Sequence, residues 1–247
     1  WHASLFPTGR SGMRKIAAGA WRNNPKEAPM QVVSGPMGKE KMHYEAPDAA
    51  ILPKEMKAFI KWFNTTTATD PVIKAGIAHL WFVTIHPFDD GNGRIARAIT
   101  DMQLARSDNN RMRFYSMSAQ IRKERKAYYE ILEKTQKGNL NITTWLEWFL
   151  TCLDRALTNT DKTLSLVIKK AKFWEKNKDT SLNERQRIML NKLLDGFIGK
   201  LTSSMWAKIT KCSSDTAVRD INDLLQNDIL IKEDAGGRST SYALNIH

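Results

Sequence analysis

The run from Pro71 to Ile85 constrains the fold of this chain more than any other stretch of its sequence. Nearly all of its side chains are apolar, so a helix formed here has almost no polar face to turn toward water. Pro71 suits the first turn of a helix, where its missing N–H is not needed. We therefore predict a helix that passes through the middle of a core, with Trp81 and Phe82 as packing residues.

Helical periodicity also surrounds this run. Met56, Phe59, Ile60 and Phe63 follow Pro53 at the spacing of one apolar helix face. Similar patterns predict further helices over residues 94–104, 118–134, 143–158 and 162–176. The sequence thus predicts a mainly α domain.

Two short segments interrupt the helical pattern early in the chain. Residues 30–34 and 41–45 contain Val and Tyr in alternating patterns, and the Gly-Pro-Met-Gly sequence at 35–38 joins them. Such segments around a turn rich in Gly and Pro predict a β-hairpin. A surface hairpin without a partner is the alternative to a functional one.

The pattern breaks around residues 177–180, where polar residues cluster, and we place a domain boundary there. This divides the chain into a larger domain over 1–178 and a smaller one over 179–247. The smaller domain contains three predicted helices and two apolar segments that flank a Gly-Gly turn, at 182–194, 202–209, 213–226, 229–231 and 241–244. Three helices and a hairpin of this size resemble a winged helix-turn-helix.

The composition is that of a soluble protein with no membrane partner. No apolar stretch approaches the roughly 20 residues of a membrane-spanning helix, and no basic start with an apolar core indicates a secretory signal. The two cysteines, Cys152 and Cys212, have no partners at metal-ligand spacing, which fits a reducing cytoplasm. Because Trp1 is not Met and falls within an apolar segment, we expect that upstream sequence has been removed.

The formal net charge of +12 raises the question of nucleic-acid binding. Most of the excess of Lys and Arg lies in the middle of the chain, whereas residues 182–247 are nearly balanced, so a solvated basic helix face is the favoured interpretation. DNA binding through helix 213–226 stays open as an alternative function, as does docking of a protein on the same domain. The candidate DNA contacts are Lys208, Lys211, Arg219 and Arg238, beside a wing at Gly236 and Gly237.

The stretch from His86 to Arg97, His-Pro-Phe-Asp-Asp-Gly-Asn-Gly-Arg-Ile-Ala-Arg, separates the apolar run from the next predicted helix. Gly91 and Gly93 allow a tight turn and close approach to a ligand, and the start of the following helix presents unpaired N–H groups. Arg94 and Arg97 are three residues apart on that helix, so both guanidinium groups project from one side and can hold phosphates. These features predict an anion-binding cradle.

Two further side chains of the stretch could bind a metal ion or accept a proton. Asp90 offers a carboxylate beside the cradle, as a magnesium ion that bridges two phosphates requires. His86 offers an imidazole, which can accept a proton from a hydroxyl near neutral pH. Each residue taken singly has a structural explanation, but their combination in one short stretch favours a phosphate site. Phe88 is expected to anchor the loop in the core.

This stretch resembles the signature of the Fic family, His-x-Phe-x-Asp/Glu-Gly-Asn-Gly-Arg-x-x-Arg, and every fixed position is filled. A looser resemblance extends over about residues 5–150 and includes the Gly-Ala-Trp-Arg sequence at 19–22 and the predicted hairpin. The resemblance implies an α-helical Fic fold with a small hairpin. The winged-helix-like tail looks like one appended to some bacterial members of the family.

The resemblance implies a protein adenylyltransferase that moves AMP from ATP to a Ser, Thr or Tyr hydroxyl of a protein target with the help of Mg²⁺. It implies that His86 is the base, Asp90 the magnesium ligand and Arg97 the contact of the terminal phosphate. The implied pyrophosphate cradle consists of Gly91, Asn92, Gly93 and Arg94. The hairpin at about 30–45 would be the flap, which can pair with the backbone of the target as an added strand.

Several alternatives stay open within this family. Relatives with nearly the same signature transfer other phosphate-containing groups or remove AMP from a modified protein, and the signature does not separate these activities. Family members resemble one another in an inhibitory helix of the pattern Ser/Thr-x-x-x-Glu-Gly/Asn, but no glutamate of this chain precedes Gly or Asn. We therefore expect that helix to be absent or upstream of Trp1, and this fragment to be de-repressed. Self-modification and a homodimer also stay open.

Overall fold

The protein is described by a computed structural model over residues 1–36, 38–66, 68–108, 114–233 and 240–245. It divides into two compact units, Trp1–Thr160 and Asp161–His247. Each unit has an apolar core of its own. Within the ranges given above, no helix is both long and apolar enough to cross a lipid bilayer.

The first unit is built mainly from helices. They are α1 His2–Leu5, α2 Leu52–Asn64, α3 Pro71–Ile85, α4 Asn92–Asp108, α5 Met117–Lys123, α6 Arg125–Gln136 and the start of α7 Thr143–Lys176. Two antiparallel strand pairs lie between α1 and α2, namely β1 Arg10–Ser11 with β2 Arg14–Lys15, and β3 Gln31–Ser34 with β4 Lys41–Glu45. The predictions of a mainly α fold and of a small hairpin are confirmed.

Helix α3 is the centre of the first unit. The Asp70 carboxylate accepts hydrogen bonds from two main-chain N–H groups of its first turn, which caps the helix. Helix α7 comes close at Gly76, where a Cβ would lie 3.0 Å from the Phe149 ring. Trp145 donates from Nε1 to the Gly76 carbonyl at 2.9 Å. The apolar run is therefore enclosed by other helices, which explains why it lacks a polar face.

Residues 118–134 do not form one helix, in contrast to the prediction. Glu124 separates α5 from α6, because its backbone leaves the helical region with φ −103° and ψ 26°. Its carboxylate accepts hydrogen bonds from Arg155 and Gln120, which hold the break in place. The apolar spacing continues across the break, so periodicity alone could not reveal it.

The predicted separate helices 143–158 and 162–176 are wrong, because α7 runs unbroken from Thr143 to Lys176. Within the predicted gap, the Thr160 hydroxyl donates to the Ala156 carbonyl at 3.0 Å, which is compatible with a continuous helix. The compact units divide within α7, between Thr160 and Asp161, whereas the sequence places the domain boundary after residue 178.

Over its described residues, 161–233 and 240–245, the second unit contains three further helices and a strand pair. They are α8 Glu184–Leu194, α9 Ser203–Thr210, α10 Ser214–Gln226, β5 Leu230–Lys232 and β6 Tyr242–Leu244. The strands pair antiparallel, and the core of the unit contains the fully buried Trp206. The assignment of this unit as a winged helix-turn-helix stays a prediction. The predicted wing at Gly236 and Gly237, and the neighbouring Arg238, lie outside the described residues.

Candidate active site

His86 ends helix α3 and begins the signature loop. Its backbone is left-handed, with φ 51° and ψ 56°, and its N–H still donates to the Phe82 carbonyl at 3.1 Å. This conformation is uncommon for a residue with a side chain and marks a constrained position. The chain therefore leaves α3 abruptly, while the histidine stays tied to the last helical turn.

The His86 imidazole is held in one tautomer. Its Nδ1 atom lies 3.2 Å from the Val83 carbonyl oxygen, which can only accept, so Nδ1 carries the proton and Nε2 keeps its lone pair. Burial lowers the pKa of His86 from 6.5 to about 4, and this effect outweighs the hydrogen bond to Val83, which raises it. His86 is therefore neutral at neutral pH, with a basic nitrogen that is not used by the Val83 contact.

The Asp90 carboxylate lies beside the start of α4. Its Oδ2 accepts from the Ser11 hydroxyl and lies 3.8 Å from Nη2 of Arg94, and its Oδ1 accepts from the Gly91 N–H. Burial raises the pKa of this carboxyl, but the hydrogen bonds from Ser11 and Gly91 and the charge of Arg94 together lower the pKa below 3.8. Asp90 is therefore ionised at neutral pH, as a ligand for a cation must be.

Gly91 and Asn92 shape the loop in different ways. Gly91 has φ +82°, and a Cβ there would lie 2.9 Å from the Phe6 ring, so both the backbone and the available space exclude a side chain. Asn92 is buried, and its amide accepts from the Phe88 N–H at 2.9 Å and donates to the Phe88 carbonyl at 2.7 Å. The Asn92 side chain thus closes the loop from within, and both ends of its amide are engaged by the Phe88 backbone.

Both signature arginines lie against the glycines of the loop. Nη2 of Arg94 is 3.7 Å from the place that a Cβ of Gly91 would take, and Nη1 of Arg97 is 3.5 Å from the equivalent place at Gly93. The Arg94 guanidinium also lies 4.5 Å from the centre of the Phe6 ring. The structure therefore brings two cations together beside the first turn of α4, where the helix N–H groups already favour an anion.

Arg22 is a buried residue to which the sequence analysis gave no role in the site. Only 2% of its surface is exposed. Its Nε donates to the His86 carbonyl at 2.8 Å, and its Nη2 donates to the Pro47 carbonyl. Its main-chain N–H donates to the Pro87 carbonyl at 2.9 Å. Arg22 therefore fixes the backbone at the start of the signature loop.

The N-terminal segment holds the other end of the loop. His2 accepts a main-chain N–H at Nδ1, so its Nε2 carries the proton and donates to the Asp90 carbonyl at 3.0 Å. The His2 ring stacks on Phe88 with centroids 3.9 Å apart, and Phe88 packs against the core, as expected. Asp89 accepts from the Ala17 N–H at 2.9 Å. Main-chain and ring contacts thus hold the loop on both sides.

The hairpin β3–β4 is tied to the same part of the unit. The Tyr44 hydroxyl donates to the Thr84 carbonyl of α3 at 2.7 Å. His43 bonds through Nδ1 to Glu133 of α6 and through Nε2 to Ser34 of the opposite strand at 2.6 Å. These contacts fix the hairpin against the last turn of α3, which is the turn that carries the histidine of the signature.

The fold and the loop together define a class of protein. A central apolar helix delivers a neutral imidazole to a loop that combines an ionised carboxylate, a glycine turn, a helix start and two arginines. Such a site can bind a polyphosphate and accept a proton from an attacking hydroxyl. Within the residues that the structure describes, no group of three or more His, Cys, Asp or Glu side chains could hold a metal ion by itself.

Comparison with known proteins names this class. Residues 1–104 match the Fic/DOC family. Protein adenylyltransferase fic-1 of Caenorhabditis elegans is 41% identical over 56 residues, which cover 22% of this chain and 11% of that protein. Protein adenylyltransferase Fic of Drosophila ananassae is 30% identical over 112 residues, which cover 44% of this chain and 20% of that protein. The similarity to the Fic/DOC family therefore covers residues 1–104, and it confirms the resemblance of the signature.

The match to these curated relatives spans only 11% and 20% of their length, so it concerns one domain of larger proteins. The crystal structure of a Fic family protein from Desulfovibrio desulfuricans G20 is similar over 98% of this chain and 66% of that chain. The TM-score is 0.53 and the sequence identity is 20%, so this likeness concerns the fold alone.

Proposed function

We propose that this chain is a magnesium-dependent protein adenylyltransferase, which transfers AMP from ATP to a Ser, Thr or Tyr hydroxyl of a protein. The observation that carries the proposal is a neutral His86, protonated at Nδ1, next to a loop with an ionised carboxylate and two arginines. The adenylyltransferase names of the relatives support the same reaction.

His86 acts as the general base in this proposal. Because Nδ1 donates to the Val83 carbonyl, the lone pair of Nε2 is the one that accepts the proton of the incoming hydroxyl. The hydroxyl oxygen forms a bond to the α-phosphorus, the bond from that phosphorus to the bridging oxygen breaks, and pyrophosphate leaves with the electron pair. The left-handed backbone of His86 and the contact with Arg22 keep the base in place.

Asp90 would hold the magnesium ion. Mg²⁺ suits a site with one or two carboxylates, because substrate phosphates and water complete its octahedral shell. Asp90 fits this role, since its carboxyl is ionised and its side chain is 48% exposed, whereas Asp89 is used by the Ala17 N–H. When bound, the ion would neutralise charge on the phosphates.

The first turn of α4 would bind the pyrophosphate portion of ATP. Arg94 and Arg97 supply positive charge, and the helix start supplies N–H donors. Arg97 is assigned to the terminal phosphate. Gly91, Gly93 and Asn92 contribute their main chains, because the Asn92 amide is engaged with the loop backbone. The contribution of the protein is thus positioning and charge neutralisation.

The flap would hold the protein target. Val33 and Met42 face each other across the hairpin, and their exposed fractions are 48% and 47%. The hairpin is a two-stranded sheet among the described strands, so its outer edges are open to a further strand. An exposed apolar pair beside an open edge suits an extended peptide that pairs through its main chain.

The proposal is tested with magnesium, candidate protein targets and ATP labelled at the α-phosphate. His86→Ala should lower transfer by roughly 10²- to 10⁴-fold, because the general base is lost, while calorimetry still detects ATP binding. Arg97→Ala should weaken ATP binding itself. Arg122→Ala, which removes an exposed arginine of α5, is the matched control and should behave like the wild type.

Intact mass spectrometry with each of the four nucleoside triphosphates identifies the transferred group. A mass gain of AMP from ATP supports the proposal. A gain from UTP alone would contradict the adenylyl specificity, and loss of AMP from a modified protein would establish the reverse reaction instead. Transfer that survives His86→Ala undiminished would contradict the assigned base.

A further inference from the structure

We infer that a buried chain of hydrogen bonds through Tyr128, His79 and Thr100 sets the position of Arg97 and thereby the affinity for the terminal phosphate of ATP. This inference rests on the proposed function, because it concerns how the same site binds its nucleotide. It gives positioning roles to three residues outside the signature loop.

The direction of each hydrogen bond in this chain follows from its chemistry. Thr100 donates from its hydroxyl to the Ala96 carbonyl at 2.9 Å, so toward His79 it can only accept. His79 therefore donates from Nδ1 to Thr100 at 2.9 Å, and its Nε2 accepts from the Tyr128 hydroxyl at 2.9 Å. In the other tautomer Nε2 would donate to Tyr128, and the Tyr128 hydroxyl proton would have no acceptor within this chain of hydrogen bonds, so this arrangement is the one that satisfies all three groups.

The chain lies entirely inside the core. His79 and Thr100 are 0% exposed, and Tyr128 is 3% exposed. Burial lowers the pKa of His79 from 6.5 to about 3, with a smaller effect of the Arg97 charge in the same direction, so the ring stays neutral. Because a buried polar atom without a partner is costly, the geometry of the chain is strongly held.

The three residues join three helices close to the site. His79 lies on α3, two helical turns before His86, and Tyr128 lies on α6. Thr100 lies on α4, three residues after Arg97 and on the same face. Helix α4 therefore cannot slide along α3 or rotate against it without breaking a buried hydrogen bond.

Arg97 lies close enough to this chain for its charge to act on it. The guanidinium lowers the pKa of His79 and opposes the rise in the pKa of Tyr128 that burial causes. Arg94, in contrast, rests on the Phe6 ring. A change in the buried chain should therefore displace Arg97 and leave Arg94 in place.

The test compares Thr100→Val with Thr100→Ser. The valine removes the hydroxyl at nearly constant shape, whereas the serine retains it. Calorimetry measures the affinities for Mg-ATP and Mg-ADP under conditions in which circular dichroism shows every variant folded. Thr100→Val should weaken ATP binding on the order of tenfold and ADP binding by less than about twofold, because the γ-phosphate contact depends on angstrom-scale placement. Thr100→Ser should keep the wild-type affinities.

Phe59→Leu is the matched control in the same core. It removes a buried ring of α2 that packs against Trp81 and Phe82 of α3, and it leaves the three hydrogen bonds of the buried chain in place. It should lower thermal stability while the ratio of ATP to ADP affinity stays at the wild-type value. If Thr100→Val does not fold, Tyr128→Phe breaks the chain at its other end and should show the same loss of ATP preference.

Three outcomes have distinct meanings. Equal weakening of ATP and ADP binding in Thr100→Val, or the same loss of preference in Phe59→Leu, would overturn the positioning role while the proposed function stands. Wild-type ATP preference in both Thr100→Val and Tyr128→Phe would overturn it as well. A wild-type protein that binds no Mg-ATP would overturn the proposed function and, with it, this inference.

Discussion

The two units use their buried polar groups differently. In the second unit, Arg185 donates to both oxygens of Asp220 at 2.7 and 2.9 Å, and Asn183 adds a third hydrogen bond at 2.8 Å. Asp220 is 5% exposed, so this cluster joins α8 to α10 inside the unit. Its charges satisfy one another and leave little capacity for a ligand.

In the first unit, buried side chains whose hydrogen bonds are complete support other side chains that retain hydrogen-bonding capacity. Arg22 and His79 are buried and fully engaged. In front of them, His86 retains a lone pair, and the two arginines lie beside a helix start. The comparison teaches that a reactive site needs two sets of residues. Side chains with free hydrogen-bonding capacity stay in position only when side chains whose hydrogen bonds are complete hold their backbone.

DNA binding by the second unit stays a prediction. Helix α10 exposes Val218 and Arg219, and Lys208 and Lys211 lie on or just after α9. Asp220 is engaged by Arg185, so its charge is directed inward rather than toward a partner. These observations describe a surface and do not identify what binds there.

The largest effect is expected for Arg22→Leu. This change leaves the carbonyls of His86 and Pro47 without their buried donor, and we expect a loss of about 3 kcal/mol of unfolding free energy or more. Urea unfolding measures the stability, and calorimetry measures ATP binding, which should also be lost. Arg185→Leu is the counterpart in the second unit, where it should lower stability and leave ATP binding intact. Loss of ATP binding in both variants would break the distinction between the units.

A smaller effect is expected within the signature loop. Gly91→Ala forces a side chain into a left-handed backbone and against the Phe6 ring, so it should cost about 1–3 kcal/mol of unfolding free energy. Gly93→Ala is the control, because its Cβ meets only Arg97, at 3.5 Å, and lies in a helix, so stability should change by less than about 1 kcal/mol. Thermal and urea unfolding distinguish the two. Equal losses would show that the left-handed turn does not limit the loop.

For one histidine and one pH unit, the effect of pH is expected to be the smallest of the three. Burial lowers the pKa of His79 to about 3 and that of His86 to about 4, whereas both protonate near pH 6.5 in the unfolded chain. Protons therefore favour the unfolded state, and stability should fall as the pH drops from about 6.5 toward 4, by up to about 1 kcal/mol per pH unit for each histidine. Urea unfolding across this range should give a shallower slope for His86→Ala than for the wild type. Identical slopes would contradict the depressed pKa of His86.

The sequence predicted those helices and turns of the first unit that depend on residues within the same segment. The run from Pro71 to Ile85 forms a helix with those bounds, because an Asp-Pro start and continuous apolar character act within the segment. The glycines and arginines of the signature also lie together in the structure, because the turn and the helix spacing bring them there.

Contacts between distant segments could not be predicted in the same way. His2 bonds to Asp90, and Arg22 bonds to His86, across separations of 88 and 64 residues. Neither has a neighbour in sequence that indicates its partner. The break at Glu124 is not predictable from the apolar spacing for a related reason, since hydrogen bonds with Gln120 and the distant Arg155 hold it in place.

The hydrogen bond from Nδ1 of His86 to the Val83 carbonyl has a consequence for how turnover begins. The proton that selects the tautomer is held by the main chain of the same helix, so the orientation of the opposite nitrogen is fixed before any substrate binds. In the proposed reaction, the surface that positions the target then determines which hydroxyl group is modified. A hydroxyl group that is held too far from Nε2 of His86 would not be deprotonated.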